Sequence, residues 1–140
     1  MSEIRYEDIP ALLLRIVPES CDSIEAKYGV PAQQAVLGQE MALDAYEVLT
    51  ECLMEPVLLP QLHGDSPDAE LLERCWAFVE TARTCSSDLV RGAAHFQVLE
   101  ALLDEDGLVE RAWPAMKEGA REEMRRILAF YGVGVPGITG

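Results

Sequence analysis

The sequence predicts an all-α protein, a compact bundle of about six to seven helices or a short HEAT-like stack of antiparallel helices. Three observations predict it. Apolar residues recur at three- and four-residue spacing through almost every segment, and no run of alternating β-branched residues argues for a strand. Helix starts near Asp8, Ser66 and Ser87 alternate with breaks at Gly29, His63-Gly64-Asp65 and Gly132. The 140 residues are 49% hydrophobic and 26% charged, a globular composition long enough to bury one core.

Taken in order, Asp8 caps a first helix with Pro10 in its opening turn, ended by Pro18. A short second helix, Glu19–Tyr28, stops at Gly29. A third runs from about Ala32 to Met54, with Ala35, Gly38, Ala42, Ala45, Tyr46, Leu49, Cys52 and Leu53 on one face. Pro56 and Pro60 bracket a short turn of helix at Val57-Leu58-Leu59, before the loop at His63. Ser66 as cap and Pro67 at the first turn start a fourth helix, to about Thr84, burying Leu71, Leu72, Cys75, Trp76 and Val79.

Ser86 or Ser87 caps a fifth helix over Asp88–Leu103, whose polar residues are scattered round the wheel, as in a central helix. Asp104-Glu105-Asp106-Gly107 is an interhelical turn, followed by a short helix through Trp113. The last helix spans Lys117–Tyr131, acidic early and basic late as its dipole favours, and Gly132 ends it. Residues 1–132 thus form one helical domain and 133–140 a flexible Gly/Pro tail.

Charge is the most informative feature. The net charge is −14, and between Lys27 and Arg74 there are nine acids and no Lys or Arg. Five of them, Glu40, Asp44, Glu47, Glu51 and Glu55, are spaced 4, 3, 4 and 4 apart and form one stripe on a helix. Like charges so placed repel by roughly 0.2–0.5 kcal/mol per pair, and no neighbouring cation in the sequence relieves them. Val36, Leu37, Val48 and Met54 flank the stripe as exposed-leaning apolar residues, and the acidity continues through Asp65, Asp68, Glu70 and Glu73. A solvated face is the plainer reading of such a stripe. Acids bordering apolar anchors also suit contact with a basic protein, where the anchors supply affinity and charge supplies speed and selectivity. On that reading the partner-binding residues are Glu40, Asp44, Glu47, Val48, Glu51, Glu55, Asp65 and Asp68.

The same field disfavours nucleic acid and anionic membrane as partners. No apolar run approaches the ~20 residues of a membrane span, and the first residues lack a signal-peptide pattern, so the expected location is cytoplasmic. Cys21, Cys52, Cys75 and Cys85 form no CxxC pair and read as reduced, mostly core thiols. Gly132-Val-Gly-Val-Pro-Gly137 spells a dinucleotide fingerprint but follows a helix and lacks the helix and acid that must come after it. Asp104–Gly107 does not place Gly and Glu as a calcium loop requires. His63 and His95 have no second ligand at metal spacing, and no nucleophile with an oriented base is evident, so neither a metal, a cofactor nor an enzyme is expected.

Asp68-Ala-Glu-Leu-Leu-Glu-Arg-Cys-Trp-Ala-Phe-Val-Glu, Phe96-Gln-Val-Leu-Glu-Ala-Leu-Leu and Leu108-Val-Glu-Arg-Ala-Trp-Pro-Ala-Met-Lys-Glu-Gly-Ala-Arg lie in the second half. In helix length and aromatic placement, residues 56–131 resemble small helical bacterial proteins found beside polymorphic toxins as their cognate immunity proteins. The resemblance implies an inhibitor of a basic secreted toxin domain, and a monomer is expected over a homodimer. It carries no catalytic residues. The alternative is an acidic helical adaptor without a toxin, dimerising through the small residues Gly38, Ala42 and Ala45.

Overall fold

A first short turn, Tyr6–Asp8, leads directly into helix α1, Ile9–Ile16, and a second, Pro18–Ser20, into α2, Cys21–Tyr28. The computed structural model describes residues 5–37 and 45–139. Asp8 stands at the start of α1, but its carboxylate accepts the Arg5 backbone N–H at 2.9 Å instead of capping that helix. Pro18 ends α1 and opens the next turn, where its missing N–H costs nothing.

Helix α3 is only Ala32–Ala35, closed by a turn at residues 36 and 37, so the long acidic helix does not run unbroken from Ala32. The chain is described again from helix α4 (residues 45–63). It is α-helical over Ala45–Val48, π-helical over Leu49–Leu58 and α-helical over Leu59–His63. The expected break at Pro56 is absent. An α-helix cannot hold a proline in its interior without a clash against the carbonyl four residues back. The wider i→i+5 register moves that carbonyl away, and the Leu59 N–H reaches Met54 O across five residues.

Helix α5, Ala69–Arg83, begins two residues later than Ser66 predicts. Asp68 is its cap, accepting the Glu70 and Leu71 N–H groups at 3.1 Å each. Helix α6 (residues 88–104) is capped by Ser87, which accepts from Val90 N, and passes from α geometry at Asp88–Ala94 to π at His95–Leu99 and 3₁₀ at Glu100–Asp104. Short α7, Leu108–Ala112, and a turn at Trp113–Ala115 precede α8, Glu118–Tyr131. Gly132 takes the left-handed conformation at φ 68°. Its N–H bonds Ala129 O and that of Val133 bonds Leu128 O, the two bonds of a Schellman ending.

No strand occurs among the described residues, and the fold is the all-α bundle the periodicity predicts. No described helix is long and apolar enough to cross a membrane. The central element is α5 and not α6. It packs against α1, α4, α6, α8 and the Trp113 turn, and Trp76, Phe78 and Val79 are fully buried on it. α6 buries Val90, Ala93, Ala94, Val98, Leu99 and Leu102 but leaves Leu89 and Phe96 more than half exposed. Val135 is buried and Ile138 packs on the core, with Val135 N bonded to Thr139 Oγ1 at 2.8 Å, so the residues after Gly132 fold back and do not trail into solvent.

Candidate functional site

The predicted contact residues do not form one face. Glu40 and Asp44 lie outside the described residues, as do Gly38 and Ala42 of the small-residue face. Val48 is fully buried in the core and Met54 nearly so, which removes both from the apolar flank of the stripe, while Leu37 is exposed. The reason is that α4 turns its apolar side, Ala45, Val48, Leu49, Cys52 and Leu53, wholly into the bundle. Asp65 is exposed; Asp68 is exposed too, but its carboxylate is engaged in capping α5.

Relief of the stripe comes from a distant part of the chain. Lys27 on α2 places Nζ 2.9 Å from Glu51 Oε2 and 3.4 Å from Glu47 Oε2. The hydrogen bond to Glu51, then that to Glu47, holds the Lys27 ammonium well above its ordinary pKa. Two of the stripe acids are therefore already partnered. Glu55, one turn further on, has no partner among the described residues.

Glu55 instead lines a groove of about 410 Å³ where the two π-helical segments meet. Thr50 from the first donates to Gln97 Oε1 of the second at 2.7 Å and fixes their register. Single π-turns inside helices are uncommon and cluster at functional sites because they re-aim the side chains that follow. Here they leave Phe96 outside the core and set Glu55, Glu100, Asp104 and Glu105 around the groove. Glu105 is 2.8 Å from His63 Nε2, and Glu100 turns to His95 Nε2 at 3.1 Å. Glu55 and Asp104 are left as its two unpartnered charges.

Phe96 also forms the wall of a second groove, of about 610 Å³, against α8. Its floor is Ile127, and the exposed rings of Phe130 and Tyr131 close the far side, stacked edge to face at 5.0 Å. His95 and Glu123 also line it, with His95 Nδ1 2.9 Å from Glu123 Oε2, and Arg83 of α5 approaches Glu123 Oε1 to 3.4 Å. The Glu100 carboxylate beside the Tyr131 hydroxyl raises the phenol above its ordinary pKa.

Sequence reasoning named Glu55, which lines the first groove, and did not name Phe96, Phe130 or Tyr131. The available signal was Phe130, a ring that the 3.6-residue period set by Met124, Ile127 and Leu128 places off the apolar face of α8. The cations of the second half are mostly internal ties. Arg74 binds Glu19 and Glu70, Arg111 donates to Leu62 O, Arg121 to Trp113 O and Arg83 to Gly119 O. The thiols are free, Cys52 and Cys75 buried and Cys21 and Cys85 half-buried. Cys21, Asp22 and Glu25 bring possible ligand atoms within 4.8 Å of one another on one helix, but Glu25 also accepts the Ala32 N–H at 2.9 Å, a structural use.

No family model matches the chain, and neither a curated protein nor a solved structure matches it.

Proposed function

We propose that the chain is an immunity-type inhibitor, a monomeric cytosolic protein that binds the basic enzymatic domain of a cognate secreted toxin and covers its cleft. The observation that carries this reading is the groove between the π-helical segments, where Glu55 and Asp104 stand unpartnered beside the exposed ring of Phe96. A hydrophobic anchor next to uncompensated charge is the composition of a tight, electrostatically steered protein contact. The net charge of −14 extends that attraction beyond the contact itself. Glu47 and Glu51, held by Lys27, act at its edge.

The reading is tested by co-purification with the neighbouring toxin domain, using the native chain, E55K/D104K and E47Q/E51Q. The groove variant is expected to lose the partner and its protection of co-expressing cells, while E47Q/E51Q keeps both. Retention of the partner by correctly folded E55K/D104K would place the contact elsewhere. Binding of an acidic adaptor target with no toxin activity would favour the alternative class.

A further inference from the structure

We infer that the second groove, between the His95–Leu99 segment and α8, binds a small amphiphilic anion: an apolar body carrying a carboxylate or sulfonate. This does not rest on the protein-partner reading, because it concerns the opposite side of Phe96 and a different charge.

The floor and walls are apolar: Ile127, Phe96, Phe130 and Tyr131. A cavity of about 610 Å³ is of drug-like size. Phe130 is 81% exposed, and Phe96 and Tyr131 are about half exposed. A folded chain gains by covering such a cluster of rings.

The charge of the occupant follows from which side chains are already engaged. Both carboxylates lining the groove are already engaged: Glu123 by His95 Nδ1 and Arg83, Glu100 by His95 Nε2. The remaining charged group lining the groove is Arg126, which is exposed and holds no ion pair or hydrogen bond among the described residues. The other free arginine is Arg15, on α1 and outside the groove. In a protein of net charge −14, an unpaired arginine beside three rings is the local exception. A guanidinium also offers paired donors that match a carboxylate or sulfonate.

The probes are 8-anilinonaphthalene-1-sulfonate, decanoate as its non-fluorescent competitor, and dansylcadaverine as an aromatic cation. The native chain is expected to bind the sulfonate at a single class of site, displaced by decanoate, and to bind the cation at least about tenfold more weakly, the difference one charge-assisted contact makes. R126E and F130A should each weaken sulfonate binding by about tenfold or more, R126K by about threefold or less, and R15E not at all. All three positions are exposed, and unchanged helical circular dichroism would show that the variants are folded. Sulfonate binding unaffected by R126E, equally affected by R15E, or matched by the cation would overturn the assignment.

Discussion

Lys27 on α2 reaches Glu51 on α4, 24 residues along the chain, with Nζ 2.9 Å from Oε2. That one side chain supplies the relief that residues 28–73 lack, since Glu47 lies on the same nitrogen at 3.4 Å. Replacing Lys27 by Met keeps the aliphatic stem and leaves the two acids facing each other. The expected loss is about 1 kcal/mol, combining partly buried charge-assisted bonds with the restored repulsion. Because the folded-state pKa of Lys27 is raised, its contribution is complete below the unfolded value of about 10.4 and shrinks as pH rises above it toward the folded value. Urea midpoints of the native chain and K27M should differ at pH 7 and begin to converge only above about pH 10.4. Identical midpoints at neutral pH would show the pair to be idle.

Glu19 and Arg74 form the opposite titration. The guanidinium meets both carboxylate oxygens, at 2.7 and 2.6 Å, and ties the α1–α2 junction to α5. The Arg74 hydrogen bonds hold the Glu19 carboxyl below the usual range. Such a group adds stability above its unfolded pKa of about 4.3, lost as pH falls through the folded value. Glu19 remains partly solvated, so E19Q is expected to cost only about 0.5–1 kcal/mol at pH 7. The difference should vanish near pH 2. A gap that persists there would mean that the glutamine disturbs packing rather than charge.

These two ties mark where the sequence was readable and where it was not. Helix identity and termini depend on nearby residues: Gly132 ends α8 and Ser87 caps α6 because the groups they satisfy lie within one turn. The cap at Asp68 was one short step from the predicted Ser66, and either side chain has the required oxygen. Continuity through Pro56 was hidden, since proline chemistry predicts a break and only packing of Val57 and Leu58 into the core favours the wider register. Lys27 looked remote from the stripe because separation along the chain says nothing of distance across the bundle. Val48, read as a flank of the stripe, belongs to the buried face that it shares with Ala45, Leu49 and Cys52 at helical spacing.

Gly92 on α6 is packed against Tyr46 of α4. A Cβ at position 92 would stand 2.6 Å from the tyrosine oxygen and 3.9 Å from the ring carbon that bears it. The hydroxyl, which donates to Leu89 O at 3.4 Å, is therefore the sole obstacle. G92A is expected to destabilise the native chain by about 1 kcal/mol or more through this overpacking. In a Y46F background the obstacle is gone, and the same substitution should stabilise by about 0.5–1 kcal/mol, the ordinary gain of Ala over Gly in a helix. A double-mutant cycle by thermal or urea unfolding reads the change of sign. The same sign in both backgrounds would refute the close approach.

The four thiols should separate cleanly by reactivity. Burial pushes Cys75 up to about 12 and Cys52 up to about 11, so at pH 8 neither offers appreciable thiolate. Cys21 and Cys85 are half-buried, but desolvation and the neighbouring Glu25 and Asp22 carboxylates also raise Cys21. Iodoacetamide at pH 8, read by peptide mass spectrometry, is expected to label Cys85 first and Cys21 more slowly, leaving Cys52 and Cys75 unmodified until urea is added. E25Q removes one source of the Cys21 shift and should speed labelling there, although Glu25 also caps Ala32 N and the variant must be checked for folding. Fast labelling of Cys75 in the native chain would mean that α5 opens locally, which its central, fully buried position makes the least expected event in the bundle.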